Sequence, residues 1–392
     1  MTHLNPVSAV RWLERVPQSD GIVTHRNVET LIGRLVTDPL LRRRFADSQA
    51  DVLREFQEQG YELSAIEIDA LAATADGAIQ SFSDSIDPRI RKADTGSVRK
   101  KRGSMREGTI ARNDGRMVGF ADYGSADHVA VVWCHGGPGS RIEPSWVFEA
   151  ASHAGMRLIG IDRPGYGRST PQPGRTIGGW VPDAIAVVDH LGIDRFMVIG
   201  VSTGGAYALA LASQSSRVSA AVACCAVSDM RWQAGKAMNV SCHPVWNARS
   251  REEAIAIVTG LFGEHGEQIL AADGLAAADP SDVAVFADPA FLAWWTRAAV
   301  PDMFTHGVAG YVDDRIADQD GWYSFDVGRI TCPVVVLHGE ADGLMPVANA
   351  HHTAAIVPGA SLKTVAGLGH FSILTKAVGV MTELLPATAV AR

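Results

Sequence analysis

The chain has 392 residues, 47% of them hydrophobic and 20% charged, which is ample for buried cores and excludes a wholly disordered polypeptide. Its 43 acidic against 35 basic residues give a formal charge of −8. That balance excludes general nucleic-acid binding, which needs a basic surface to neutralise phosphates. At about 100–200 residues per domain, the length predicts two or three domains.

Residues 1–86 read as helices only. Val28, Leu31, Ile32, Leu35 and Val36 recur at i, i+3, i+4, i+7 and i+8, one face of a helix. Asp38-Pro39 supplies a cap and a first-turn proline for a second helix, which Gly60 ends. Ser64-Ala65-Ile66-Glu67 fits a capping box, with Leu63 and Ile68 as its hydrophobic staple. Ile68, Leu71, Ala72, Ala75, Ile79 and Phe82 continue a third helix on one face. A small helical domain is expected over 1–86, open to a homo-oligomer contact through its helices. Residues 87–106 carry eight Lys/Arg, including Arg99-Lys100-Lys101-Arg102, against only Asp87 and Asp94. The segment reads as a solvated interdomain linker, with a polyanion or membrane-surface strip as the alternative. Residues 1–106 hold 16 basic and 15 acidic residues, and the remainder 19 and 28, so the two parts carry +1 and −9.

From residue 107 onward the pattern alternates strands with helices, the signature of a mainly parallel sheet. Thr109–Arg112 and Arg116–Tyr123 flank Asn113-Asp114-Gly115 and predict a hairpin. Short apolar runs at Val129–Cys134, Arg157–Ile161, Phe196–Val201, Val218–Cys225 and Pro333–Leu337 suit central strands. Segments near 144–154, 177–191, 204–214 and 346–357 suit crossover helices. Between about 229 and 328 the rhythm fails. That stretch holds five of the nine tryptophans and reads as a helical insertion between two strands. Phe196 to Ser216 is uncharged and long enough to span a bilayer, but Ser202-Thr203-Gly204-Gly205 breaks it into a buried strand and a helix. The N-terminus lacks a basic region followed by an apolar core, so no signal peptide is expected. Five cysteines, with no CxxC among them, read as reduced thiols of a cytoplasmic protein without stable membrane insertion.

Gly200-Val201-Ser202-Thr203-Gly204 supplies the strongest chemical signal. A serine at a strand-to-helix turn adopts a strained backbone that only small neighbours tolerate, and its Oγ is pushed out above the sheet. Serine needs a base within hydrogen-bond reach, itself oriented by a carboxylate. His370, in Gly367-Leu368-Gly369-His370-Phe371, and Asp342, in His338-Gly339-Glu340-Ala341-Asp342, stand in the order Ser, Asp, His. Asp229 and then Glu340 are the alternative acids. His135-Gly136-Gly137-Pro138-Gly139-Ser140 follows a strand and lets backbone approach a substrate closely. The Gly137 and Thr203 N–H groups are the candidates for an oxyanion hole, and His135 is expected to be structural. A phosphate cradle is excluded because GxxxxGK[ST] is missing. No metal site or cofactor is expected, since His351-His352 has no HExxH or cysteine partners.

These motifs, with DRPGYGRS at 162–169, resemble the α/β-hydrolase superfamily over about residues 108–386. The resemblance implies an eight-stranded, mostly parallel sheet with flanking helices and a helical cap over the site. HGGPGS resembles the loop of the proline iminopeptidase branch and of many esterases, although Thr203 stands where iminopeptidases usually carry tryptophan. The expected activity is metal-free hydrolysis of a small apolar or aromatic ester, thioester or lactone through an acyl-enzyme. The alternatives are an iminopeptidase-like aminopeptidase, using cap carboxylates such as Glu264, Glu267, Asp302 or Asp313 for a substrate ammonium, and a ligand sensor with little turnover.

Overall fold

A computed structural model describes residues 25–37, 39–58, 63, 67–68, 71, 104–269, 279–319 and 321–386. The chain divides into two compact units, Met1–Lys100 and Lys101–Arg392. In the first, helices α1 (His25–Thr37), α2 (Pro39–Asp47) and α3 (Gln49–Glu58) pack around Val28, Leu31, Leu35, Phe45, Val52 and Phe56. The single helix expected after Pro39 is thus two helices. The break lies at Ser48, whose Oγ accepts from the Asp51 N–H and donates to the Asp51 carboxylate at 2.8 Å, capping α3. Leu63, Ile68 and Leu71 join the same core. Residues 64–66 of the capping box and 87–103 of the basic segment lie outside the described residues.

The second unit is built on an eight-stranded sheet, with strands β1 (Ser104–Ala111), β2 (Met117–Gly124), β3 (Val129–Cys134), β4 (Met156–Ile161), β5 (Phe196–Val201), β6 (Val218–Cys224), β7 (Val334–Gly339) and β8 (Ser361–Val365). Their order is β1-β2-β4-β3-β5-β6-β7-β8, and only β2 runs against its neighbours. The β1–β2 hairpin turns at Gly115, whose φ of 84° suits a residue without a Cβ. β1 begins three residues before the expected boundary at 107, because Ser104, Met105 and Arg106 ladder onto Gly124, Tyr123 and Asp122. β5 is buried along its whole length, as expected of a central parallel strand covered on both faces. Side-chain alternation divides it between two cores: Phe196 and Val198 lie on one face, Met197 and Ile199 on the other.

Helices α4 (Phe148–His153), α5 (Val181–His190) and α6 (Gly204–Gln214) connect the first parallel strands. The segment between β6 and β7 forms a helical cap, as its broken rhythm predicted. The cap carries α7 (Gln233–Met238), α8 (His243–Trp246), α9 (Arg251–Phe262), α10 (Pro280–Ala287), α11 (Pro289–Trp294), α12 (Val300–Met303) and α13 (Ala309–Gln319). Most of its aromatic residues are its own core. Phe286, Phe291, Trp295 and Phe304 cluster with Val258, Val300 and Met303, and Phe286 and Trp295 pack edge-on against Phe371. Helices α14 (Ala348–Ile356) and α15 (Leu374–Glu383) complete the unit. All five cysteines are free. The uncharged stretch from Phe196 becomes β5 and α6. Among the described residues no helix is long and apolar enough to cross a membrane.

Candidate active site

Parallel strands place the loops that follow them along one edge of the sheet, and Ser202, Asp342 and His370 follow β5, β7 and β8 there. Ser202 sits in the left-handed region with φ 52°, a strained conformation for a residue with a Cβ. The tight turn explains its glycine neighbours. A Cβ on Gly200 would lie 2.0 Å from the Gly204 carbonyl oxygen, and one on Gly204 would lie 2.1 Å from that of Cys134. The chain must therefore omit both side chains for the serine to stand at the head of α6.

His370 Nδ1 lies 2.7 Å from Asp342 Oδ2. The other oxygen of Asp342 accepts from the Leu344 and Met345 N–H groups at 2.9 and 2.8 Å. His338, fully buried, places Nε2 3.2 Å from the same Oδ2 and 2.8 Å from the Met345 carbonyl. Burial alone would push the Asp342 carboxyl up, but His370, His338 and these hydrogen bonds hold it well below the usual carboxylate range. Burial likewise opposes a charge on His370, yet the adjacent Asp342 carboxylate outweighs it and raises the imidazole above the ordinary histidine value. Ser202 makes no direct hydrogen bond to His370 in this structure. Nucleophile–base bonds often tighten only when substrate is bound.

Asp229 is drawn elsewhere: its carboxylate accepts from Arg231 and, at 3.1 Å, from the Trp322 N–H. Glu340 is exposed and accepts from the Thr364 hydroxyl at 2.7 Å. The carboxylate that meets His370 is Asp342.

The glycine-rich loop after β3 is clamped from below. Arg163, from DRPGYGRS, is fully buried and donates to the His135 carbonyl and, at 2.6 Å, to the Gly136 carbonyl. His135 Nε2 accepts from the Arg163 N–H at 3.1 Å, which leaves the ring proton on Nδ1, 2.7 Å from the Gly136 oxygen. Burial and the Arg163 cation keep His135 well below the ordinary histidine range, so it is a neutral structural residue. In a trans peptide the carbonyl and the following N–H point opposite ways. With the Gly136 oxygen turned to Arg163, the Gly137 N–H faces away from that clamp. The Gly136 N–H is already taken by Glu143 at 2.9 Å, whereas no partner among the described residues accepts from the Gly137 or Thr203 N–H. A Cβ on Gly137 would come within 2.6 Å of Thr203 Oγ1, so the two residues that carry the candidate donors pack against each other.

Several residues that shape the site escaped sequence reasoning. Asp314 of α13 holds Arg163 at 2.7 Å, Arg175 at 2.8 Å and the Tyr166 and Tyr207 hydroxyls at 2.8 and 2.9 Å. Burial would raise its carboxyl, but the two arginines hold it far below the usual range. The cap is thereby tied to the arginine under the glycine loop. Asp282 of α10 accepts from the His370, Phe371 and Ser372 N–H groups at 2.7, 3.0 and 2.8 Å. Glu143 also accepts from Trp133 Nε1 at 2.8 Å, and burial raises its carboxyl. Arg163 stood inside a quoted motif, but Asp282 reads in sequence as an ordinary first-turn acid after Asp279-Pro280. Among the described residues no cluster of His, Cys, Asp and Glu is placed to hold a metal ion.

A sheet of this order, a serine at the tight turn after β5 and a histidine–carboxylate pair on the loops beyond it define a hydrolase fold with a cap. The alpha/beta hydrolase fold family matches residues 129–377, and the chain belongs to that family. It is similar to a non-heme haloperoxidase of Rhodococcus erythropolis, 27% identical over 282 residues that cover 70% of this chain and 97% of the relative. A bifunctional esterase/perhydrolase of Acinetobacter calcoaceticus is 25% identical over 289 residues, covering 71% and 98%. The enol-lactonase structure from Burkholderia xenovorans superposes with a TM-score of 0.53 at 20% identity, over 71% of this chain and 99% of that one, a likeness of fold.

Proposed function

We propose that the protein is a serine hydrolase of the carboxylesterase type, acting on a small apolar ester, thioester or lactone through an acyl-enzyme. The observation that carries this reading is Ser202, held at φ 52° on the edge of the sheet where the His370–Asp342 pair also lies. In the proposed reaction Ser202 Oγ bonds to the carbonyl carbon while its proton passes to His370 Nε2 and the carbonyl electron pair moves onto oxygen. The Gly137 and Thr203 N–H groups receive that oxyanion. The tetrahedral centre collapses, the bond to the leaving group breaks, and His370 returns the proton to the departing alcohol. Water then attacks the acyl-enzyme with His370 as base, releasing the acid and restoring Ser202. Asp342 keeps the imidazole oriented and stabilises its charged form.

The cap supports the ester reading over the aminopeptidase one. Asp302 is paired with Arg141 at 2.8 Å and Asp313 with Arg251 at 2.6 Å. Glu264 is exposed and Glu267 accepts from the His265 N–H of its own turn. None of the four is an unpaired buried carboxylate suited to a substrate ammonium.

The test is hydrolysis of p-nitrophenyl acetate, butyrate and octanoate by the wild type and Ser202→Ala, with prolyl p-nitroanilide as the peptidase control. A stoichiometric burst lost in the variant, without anilide cleavage, is expected. Equal turnover by Ser202→Ala would overturn the mechanism. Binding of an ester without turnover would favour a sensor.

A further inference from the structure

The Thr203 side chain is engaged in a way that a simple backbone donor does not require. Thr203 is 2% exposed, and its hydroxyl oxygen accepts a hydrogen bond from Arg315 Nη2. Arg315, of α13, is itself buried. The Asp318 carboxylate at 2.8 Å, the Cys242 sulfur at 3.1 Å and the Tyr311 ring, whose centroid is 5.5 Å away, fix its guanidinium. A guanidinium can only donate. The threonine oxygen must therefore be the acceptor, and its own proton is directed elsewhere. Among the described residues nothing accepts that proton, although buried hydroxyl donors nearly always find an acceptor. The oxygen lies against Gly137, 2.6 Å from where a Cβ would stand, so the hydroxyl belongs to one and packs on the other of the two residues whose N–H groups are assigned to the oxyanion.

We propose that the Thr203 hydroxyl is a third donor to the oxyanion, polarised by Arg315, in addition to the two backbone N–H groups. This rests on the serine hydrolase reading of the site. Thr203 is then a catalytic residue through its side chain, and Arg315 a positioning residue that turns the hydroxyl toward the substrate carbonyl. The arginine's charge strengthens the threonine as a donor, because a hydrogen bond accepted from a cation polarises the O–H that follows it. No bond is made or broken at Thr203. The hydroxyl proton stays on its oxygen and the interaction is strongest when the carbonyl oxygen is charged, so its effect falls on turnover and not on binding.

The experiment compares Thr203→Val, which keeps the branched shape and the N–H but loses the hydroxyl, with Thr203→Ser, which keeps the hydroxyl. Each is assayed for p-nitrophenyl butyrate hydrolysis, for inhibition by an aliphatic trifluoromethyl ketone that forms a tetrahedral oxyanion, and for fluorophosphonate labelling of Ser202. Thr203→Val is expected to lose about a hundredfold to a thousandfold in kcat, with KM within about twofold and the ketone inhibition constant raised by a similar factor. Thr203→Ser is expected within about threefold of wild type. Arg315→Lys should lower kcat alone and add nothing in the Thr203→Val background. A folded Thr203→Val with wild-type kcat and ketone inhibition overturns the proposal, as does an equal loss in Thr203→Ser. If Thr203→Val does not fold, Thr203→Ala makes the same comparison, with the same outcomes on either side. Labelled wild type with an unimpaired Thr203→Val refutes the third donor alone. A wild type that neither labels nor turns over refutes the hydrolase reading and the proposal with it.

Discussion

Asp282→Ala probes how the cap governs the histidine loop. The carboxylate accepts from three consecutive N–H groups, of His370, Phe371 and Ser372, at 2.7, 3.0 and 2.8 Å, and it is 3% exposed. Hydrogen bonds to a charged group contribute about 1.5–3 kcal/mol each. Truncation strips all three at once, and water entering the space restores part of the loss, leaving a cost of about 3–5 kcal/mol. For the larger unit, Lys101–Arg392, that lowers Tm by about 5–8 °C. Loss of this negative charge also removes one contribution that raises His370, so the acid limb of the pH–rate profile moves to lower pH. Thermal unfolding and the pH dependence of kcat/KM for p-nitrophenyl butyrate check both effects; Asp282→Asn, which keeps one acceptor oxygen but not the charge, should fall between in Tm and shift the acid limb as Asp282→Ala does. A folded Asp282→Ala with wild-type Tm and an unmoved acid limb would refute the claim that the cap anchors His370.

Further outcomes follow from the same geometry. Ser202→Gly should abolish ester turnover while stabilising the fold by up to about 1 kcal/mol, since relief of the φ 52° strain outweighs the entropy glycine adds to the unfolded chain; chemical denaturation showing a loss of more than about 1 kcal/mol would contradict it. Because His370 is raised and in the proposed mechanism must be neutral to act as base, kcat/KM should rise with pH through a midpoint above the ordinary value of about 6.5. The stability from charged His370 is complete below about 6.5 and is lost as pH rises through its folded value. That from Asp342, whose carboxyl is lowered, is present above about 3.9 and is lost as pH falls through its folded value. Tm of wild type relative to a His370→Ala/Asp342→Ala double variant should therefore be greatest between about pH 4 and 6.5. Asp314→Asn leaves Arg163 and Arg175 buried without their carboxylate, a cost of about 3–5 kcal/mol; an urea midpoint matching wild type would contradict it.

The fold was legible where a pattern repeats locally. Continuous short apolar runs marked β3, β5 and β6, because central parallel strands are apolar throughout, and Asn113-Asp114-Gly115 marked the hairpin. β8 is weaker: Ser361–Val365 carries a lysine and two hydroxyl residues and is only half-buried, so it gave no apolar run. The break at Ser48 was missed because a Ser-x-x-Asp cap inside a helical period looks like continued helix. Of the candidate site, the short motifs pointed to Ser202, Asp342, His370 and the glycine loop, since each depends on a local turn. The supporting shell was not legible, because it depends on contacts distant in sequence. Asp282 reaches His370 across 88 residues, Arg315 reaches Thr203 across 112 and Asp314 reaches Arg163 across 151. Spacing in sequence carries no information about such pairs, and a buried arginine in α13 looks like any charge on an amphipathic helix.

The central claim is that Ser202 is the nucleophile of a covalent mechanism. Its most direct measurement is intact and peptide mass spectrometry of the full chain after exposure to a fluorophosphonate, with Ser202→Ala and His370→Ala in parallel. The account predicts a single phosphonyl adduct on the peptide containing Ser202, absent from Ser202→Ala and formed far more slowly in His370→Ala. An adduct on another residue, undiminished labelling of Ser202→Ala, or a folded wild type that remains unmodified would contradict it.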